Sequence, residues 1–486
     1  MAHAVGCPVV ERVGRIAALH PDRAAVVGTA KVLDYRELWL RVDAWRERCA
    51  ALGLAPGTLV AVLCGDGTGL PSAFLGARAA GLVPLLIDEG LPQSGVDAVW
   101  EAARPAAVLR ADKDDLEPTG EPNPRTLPAE AGYVVFSSGT QDTPKGIVGQ
   151  AAGLLAFLDW EIAELDVRPG TRVAMLTSPS FDVVYRDLLL PLCSGGELHI
   201  AEQAVRFTPP AVLPWLADHG IEVLHAVPSL SARWLDADGP TVDSLQYTLF
   251  AGEPLYGRHV QRWRTAAPRT RVVNLYGPSE TTLARFHHEI PADCGPGLQP
   301  VGRPLPGARV NLVPAEPASE HGDALRVLIT TPHGSLGYLP GTCSPDDLNR
   351  LRREHGITRF QTQDRGLLDP EGNLVIVGRL DSLVKRRGTF VDIMRIEAAA
   401  AELAEVRAAC CVQLRSNSEI VLAVEGPDPA TAAGLYRKLR APLGREIPDR
   451  VVVLPTLPLL PGGKADRRRV RELLNLEEMT HGLHGG

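Results

Sequence analysis

Apolar runs alternate with helix-patterned segments from about residue 25 to residue 340. TLVAVLC (58–64) is followed by the helical PSAFLGARAAG and then by LVPLLID. TRVAMLTS (171–178) is followed by the amphipathic YRDLLLPLCSGG and then by ELHI, and IEVLHAV, LQYTLFAG and TRVVNLYG continue the series. Strand-like runs separated by helices predict an α/β protein with largely parallel sheets covered by helices. In such sheets ligands favour the loops at the carboxyl ends of the strands.

The polar, proline-rich stretch 111–132 reads as an exposed connector. Beyond GNLVIVGRLD (372–381) the pattern becomes shorter and more basic. A helix over 395–408, a strand pair near 409–424, a helix near 429–442 and the run VVVLPTLPLL predict a small α+β unit. The expected boundary lies at Arg379 to Asp381, which divides the chain into 1–380 and 381–486. No strong internal repeat is visible.

Composition narrows the class. At 486 residues the chain exceeds the size at which one core keeps growing, so at least two domains are expected. Hydrophobic residues make up 45% and charged residues 22%, and no apolar run approaches the roughly 18 residues of a membrane helix. The start, MAHAVGCPVV, lacks a basic segment followed by an apolar one, and the eight cysteines are scattered without metal-ligand spacing. These features predict a soluble cytoplasmic protein with buried thiols and no membrane partner. A net charge of −8 argues against nucleic acid.

Lysine occurs at only six positions, 31, 113, 145, 385, 438 and 464, so a lysine in a glycine-rich loop draws notice. In SSGTQDTPKG the backbone N–H groups around Gly139 and the hydroxyls of Ser137, Ser138 and Thr140 are suited to phosphate oxygens, with Lys145 as a point charge. The spacing is not that of a P-loop. Alone, the loop reads equally well as a structural turn.

It has companions in a fixed order: SFD (180–182), AGEP (251–254), NLYGPSETT (274–282), TQD (362–364), GRLD (378–381) and LLPGGKADR (459–467). Together they resemble the adenylate-forming superfamily, which includes nonribosomal peptide synthetase adenylation domains, acyl-CoA synthetases and luciferases. The resemblance spans nearly the whole chain and is closest to a free-standing amino-acid adenylation domain. It implies a large N-terminal domain of layered α/β subdomains with a small β-barrel-like part, and a small mobile C-terminal lid.

It also implies chemistry. An amino acid would be activated with ATP and Mg²⁺, and the acyl group would then pass from AMP to a thiol. By similarity, Glu280 is the magnesium ligand, and Thr281 and Thr282 meet phosphate oxygens. Gly252, Glu253, Pro254, Asn274 and Tyr276 form the adenine pocket, although Tyr276 by itself reads as core. Asp364 takes the ribose hydroxyls and Arg379 holds ribose or phosphate. Lys464 bridges the attacking carboxylate and the nucleotide, where otherwise GGKADRR would read as an exposed basic tail. Asp381 is the hinge. The chain departs from the family pattern at Gln141 and Asp142 in the loop, at Gln363 where glycine is common, and in GTFVDIMRIE.

On the substrate side, Asp182 resembles the anchor of an α-ammonium, the alternative being a cap on the helix that follows. Val183, Arg186, His225, Leu249, Ala251, Leu275, Leu283 and Ala284 are the implied pocket walls. Arg186 either binds a substrate carboxylate or amide, or pairs with Asp187 and faces outward. His225 is either a pocket donor or a structural imidazole. With the chain ending at NLEEMTHGLHGG, the expected acceptor is a phosphopantetheine arm on a separate carrier protein, with a small accessory protein as a further partner. Alternatives are an acyl- or aryl-CoA ligase and a noncatalytic adenylate-binding protein.

Overall fold

The computed structural model describes residues 6–65, 67–137, 144–235, 239–314, 325–386, 388–403, 405–414, 418–426, 431–460 and 464–482. Two large sheets carry most of the first two-thirds. One has seven strands in the order Gly337–Tyr338, Lys145–Gln150, Ala131–Ser137, Val83–Asp88, Leu59–Cys64, Ala107–Arg110 and Asp115–Pro118. Its central strands are parallel and buried along their length, which is why LVAVLC and VPLLID read as unbroken apolar runs. The final strand lies inside the stretch expected to be connector: Leu116 pairs antiparallel with Leu109, extending the sheet by one edge.

The other large sheet has nine strands. Its centre is the parallel set Arg172–Met175, Val223–Ala226, Tyr247–Ala251 and Arg271–Tyr276. These are the strands of TRVAMLTS, IEVLHAV, LQYTLFAG and TRVVNLYG.

Helix Tyr35–Ala51 starts at a capping box in which Asp34 accepts from the Glu37 N–H at 2.7 Å. It packs on helix Leu70–Ala79 closely enough that a Cβ at Gly76 would stand 2.3 Å from the Trp45 Cβ. Helix Val184–Ser194 corrects an expectation. It reads as amphipathic, yet every one of its residues is buried, because it lies among helices Pro8–Leu19 and Ala151–Glu164 and the nine-stranded sheet. Its polar residues are therefore internal.

The part expected to be barrel-like is a five-stranded antiparallel sheet built on the long strand Ile357–Leu368. Strand Leu374–Arg379 pairs with it and sets Asp364 opposite Arg379. After residue 381 come the hairpin Leu383–Arg386 with Thr389–Asp392 and a three-stranded sheet of Ala408–Gln413, Ile420–Glu425 and Arg450–Leu454. The expected helix over 395–408 spans Ile393–Ala401 instead, capped by the Asp392 side chain. Cys410 and Cys411 point to opposite faces of the small sheet and enter two separate apolar clusters.

A buried ion pair joins Arg365 of the long strand to Asp392, which also accepts from the Ser382 hydroxyl and the Met394 N–H. Asp392→Ala strands the Arg365 guanidinium, and this should cost about 3–5 kcal/mol of stability. Urea denaturation checks it, and a loss below about 1 kcal/mol would contradict it. Among the described residues no helix is long and apolar enough to cross a membrane.

Candidate active site

The SSGTQDTPKG loop leaves and re-enters the seven-stranded sheet at paired positions, Ser137 opposite Lys145. Ser138, Gly139 and Thr140, together with Gln141 and Asp142, lie outside the described residues. Lys145 Nζ is 2.6 Å from Asp347 Oδ1. Asp347 is buried, which pushes its carboxyl up, but hydrogen bonds from Lys145 and Ser344 outweigh this and hold it below its ordinary value. Asp347 also belongs to the Ser344 capping box of helix Pro345–Arg350, and no local pattern in the sequence points to it as the partner of Lys145.

Glu280 sits in the single helical turn Ser279–Thr281. The Tyr338 hydroxyl donates to its Oε1 at 2.8 Å, and the Ser335 N–H donates to its carbonyl at 2.9 Å. Burial raises the Glu280 carboxyl, opposed by its own backbone N–H, Tyr338, Lys145 and Arg350. Thr281 and Thr282 are both buried, and Thr281 donates to the Pro278 carbonyl at 2.9 Å. Thr282 and Leu283 have φ of 66° and 55°. Left-handed backbone at two successive non-glycine residues, one β-branched, costs roughly 1–3 kcal/mol each and persists only where the surroundings impose it. Arg285 does so here, donating to the Thr281 and His333 carbonyls at 2.6 and 3.0 Å.

Three predicted nucleotide residues form one hydrogen-bonded chain. Tyr276 donates to Asp364 Oδ2 at 2.6 Å, Arg379 donates to Asp364 Oδ1 at 3.0 Å, and Arg379 also grips Asp381 at 2.7 and 2.8 Å. Gln363 keeps its place in the strand, its carbonyl accepting from the Leu380 N–H at 2.7 Å. The Asn274 amide donates to the Pro300 carbonyl at 2.8 Å.

Lys464 lies over the AGEP segment. Gly252 has φ of 88°, and a Cβ added there would stand 3.4 Å from Lys464 Cε and 3.7 Å from its Nζ. Glu253 accepts from the Ser229 N–H at 3.0 Å, and burial raises its carboxyl against the pull of Ser229 and Lys464. Gly252, Glu253, Pro254, Arg379, Asp381 and Lys464 line one cleft. Lys464 is itself exposed, on a reversal in which its carbonyl accepts from the Leu460 N–H at 2.7 Å. Arg467 anchors the reversal through Glu397 and the Cys411 carbonyl. Arg233 of helix Pro228–Trp234 reaches Glu425 at 2.7 Å and the Leu457 carbonyl at 3.0 Å, tying the small sheet to the same side.

The predicted pocket walls converge on one face of the nine-stranded sheet. His225 is registered beside Leu249, and Ala251 beside Leu275. Leu249, Leu275, Leu283 and Ala284 share an apolar cluster with Tyr133 and Tyr185, and Ala251 packs against it. Val183 and Asp182 are half-buried at the start of helix Val184–Ser194. The helix has no side-chain cap bond at Val183, so Asp182 does not serve it as a cap. Asp182 instead lies near the phenols of Tyr133 and Tyr185, whose ionisation is pushed up by burial first and by neighbouring charge second.

Two alternatives close here. Arg186 does not face outward: it is 3% exposed. Asp187 pairs with His225 rather than with Arg186, at 2.8 Å from Nδ1, while His225 Nε2 is 2.8 Å from Glu161 Oε1. Glu161, in the apolar context FLDWEIAEL, was not anticipated. Its one sequence signal was a carboxylate on an otherwise buried helix face. Burial lowers the imidazole pKa, but Glu161 and Asp187 more than reverse this and carry it above the ordinary 6.5. A raised folded pKa stabilises the protein fully below the unfolded value, and the contribution is lost as pH rises through the folded one. The stability difference between wild type and His225→Leu should therefore shrink from pH 6 to pH 9 in urea titrations, and a difference that grows would contradict the charged state.

A profile described as "AMP-binding enzyme" matches residues 14–132 and 109–339, and the chain belongs to this family of adenylate-forming enzymes. It is 28% identical over 94% of its length to phenyloxazoline synthase MbtB of Mycobacterium sp. (strain MCS), covering 41% of that protein. It is 28% identical over 92% of its length to phosphinothricin tripeptide synthetase PhsB of Streptomyces viridochromogenes, covering 40%. The chain thus spans about two fifths of the length of these two relatives. It covers 97% of the L-proline--[L-prolyl-carrier protein] ligase of Pseudomonas fluorescens, at 26% identity over 94% of this chain. Klebsiella oxytoca NpsA, solved with 3-hydroxyanthranilyl-AMSN, superposes with a TM-score of 0.81 at 20% identity, over 96% of this chain and 99% of that one. IdnL7 gives 0.79 at 25%, over 96% and 98%.

Proposed function

We propose that the chain condenses an amino-acid carboxylate with ATP to an aminoacyl adenylate, releases pyrophosphate, and passes the acyl group to the phosphopantetheine thiol of a separate carrier protein. The observation that carries this reading is the position of Lys464 against Gly252, in a cleft that Glu253, Arg379 and Asp381 also line. An ammonium there offsets the repulsion between an attacking carboxylate and a phosphate. Asp364 offers two acceptor oxygens to ribose hydroxyls, and Asp182 a counter-charge to an α-ammonium.

Magnesium fits the donor set. Among the described residues no three His, Cys, Asp or Glu side chains gather as a cage. Mg²⁺ bound to a nucleotide needs only one or two protein carboxylates, and Glu280 supplies one. When bound it neutralises phosphate charge, while Glu280 and Lys145 orient the phosphates.

In this reading 1–380 forms the core and 381–486 a lid that turns about Asp381. Eight free cysteines, seven of them buried, fit a reducing cytoplasm. A carrier-protein acceptor is supported by the prolyl-carrier protein ligase, whose length the chain matches almost completely. Hydroxylamine trapping tests the first step: an aminoacyl hydroxamate should form only with ATP, Mg²⁺ and an amino acid together. Offering CoA and a pantetheinylated carrier protein in competition tests the second, and preferential acylation of CoA would replace this reading with a CoA ligase.

A further inference from the structure

Among the described residues five arginines are more than nine-tenths buried, and four have partners. Arg78 donates to the Leu82 carbonyl and Arg285 to two carbonyls, Arg365 pairs with Asp392, and Arg206 faces Asp88 Oδ2 at 3.7 Å. Arg186 is the exception. Its Nε is buried without a partner, and among the described residues no acceptor reaches the rest of its guanidinium. A buried cation left in this state is strongly unfavourable unless something else supplies the acceptor.

Position says where that acceptor comes from. Asp182 lies two residues before helix Val184–Ser194, in a turn where the Tyr185 and Arg186 N–H groups donate to the Asp182 and Val183 carbonyls at 3.1 Å, so Arg186 stands about one turn along the chain from Asp182. The same cluster that receives Leu249, Leu275 and Leu283 contains Val184 and Tyr185 of this helix. An amino acid held by its ammonium at Asp182 would therefore extend its side chain toward Arg186, over a hydrocarbon floor.

Charge says what the acceptor is. The Arg186 charge acts on His225, whose imidazole stands 2.8 Å from Glu161 and 2.8 Å from Asp187. With the imidazole charged, the group holds two cations and two anions and is balanced. A second carboxylate on the substrate would upset this balance and face two buried carboxylates. Glu161 Oε2 and Asp187 Oδ2 are also buried without a donor, so the cluster lacks partners of both kinds.

We propose that Arg186 is the specificity-determining residue of the pocket and that it binds the oxygen of a neutral carboxamide on the side chain of the amino-acid substrate. This rests on the amino-acid-activating reading above. A carboxamide accepts from Arg186, carries donors for the orphaned oxygens, and adds no charge.

The test is pyrophosphate release by the intact chain with asparagine and glutamine, with aspartate and glutamate, and with leucine and methionine. Wild type, Arg186→Leu and Arg186→Lys are compared, with melting temperatures recorded for each. A site built around such a donor rejects analogues lacking the acceptor by large factors. Wild type should favour a carboxamide over both other classes by about 100-fold or more in kcat/KM. Arg186→Leu should erase that preference by lowering kcat/KM for the carboxamide about 100-fold, while Arg186→Lys should keep part of it. A wild-type preference for an acidic or hydrocarbon side chain overturns the inference. So does a preference that survives in Arg186→Leu, which would mean that a buried water satisfies the guanidinium. If Arg186→Leu does not fold, the lysine variant decides alone: an undiminished carboxamide preference overturns the inference.

Release with none of the six counts against amino-acid activation itself. Calorimetric binding of the same six compounds without ATP then decides the inference separately. Carboxamide binding that is lost on Arg186→Leu supports it, and equal binding to both proteins, or no binding to either, overturns it.

Discussion

Lys464→Ala should lower amino-acid-dependent adenylate formation by roughly 10²–10³-fold, the range found when one preorganised electrostatic contact to a transition state is removed. The effect should fall on kcat more than on the KM for the amino acid, because the charge is needed most where the carboxylate closes on the α-phosphorus. The fold should not notice. Lys464 is exposed, and its structural link to the reversal is a backbone carbonyl that alanine keeps. Its removal should change stability by no more than about 0.5 kcal/mol. Normal turnover in a folded Lys464→Ala protein would remove the lysine from the mechanism, whatever its position over Gly252.

Asp182→Ala should act on recognition. The carboxylate does not cap the following helix, so its replacement leaves the helix start intact. What it removes is the counter-charge to the substrate ammonium. Truncating one member of a desolvated charge pair costs about 2–5 kcal/mol, and the half-buried position of Asp182 places the expected loss near the lower end. That corresponds to roughly a 30-fold fall in kcat/KM for the amino acid, with the KM for ATP little changed. A carboxylic acid without an amino group, if accepted at all, should lose little or even gain. Specificity constants unchanged by the replacement would reject Asp182 as the anchor.

How much of this was legible in the sequence depends on the range of the interaction. The parallel strands were legible, because burial on both faces writes itself as consecutive apolar residues, as in LVAVLC. So were the motifs, because Tyr276, Asp364 and Arg379 stand in short signatures although they meet only in the folded chain. Long-range pairing of charges was not. Lys145 and Asp347 are 202 residues apart, His225 and Glu161 are 64 apart, and Arg233 and Glu425 are 192 apart, and no local pattern joins them.

Helix Val184–Ser194 shows the same limit from the other side. Arg186 and Asp187 look like a solvent face, since charged residues are rarely buried. Here one is matched by a histidine on a neighbouring strand, and the other is left open in what we read as the substrate pocket. Connector 111–132 erred in the opposite direction. Its polar composition hid the short edge strand Asp115–Pro118, which a sheet edge tolerates because one side of it faces water.

The most direct test of the central claim is amino-acid-dependent exchange of labelled pyrophosphate into ATP by the intact chain, run across the proteinogenic amino acids, β-amino acids and a set of aryl and aliphatic acids. Exchange that requires Mg²⁺, is driven by one or a few amino acids and is lost in Lys464→Ala is the predicted result. Exchange driven only by acids without an amino group, or ATP binding with no exchange for any acid, would contradict an amino-acid adenylating enzyme.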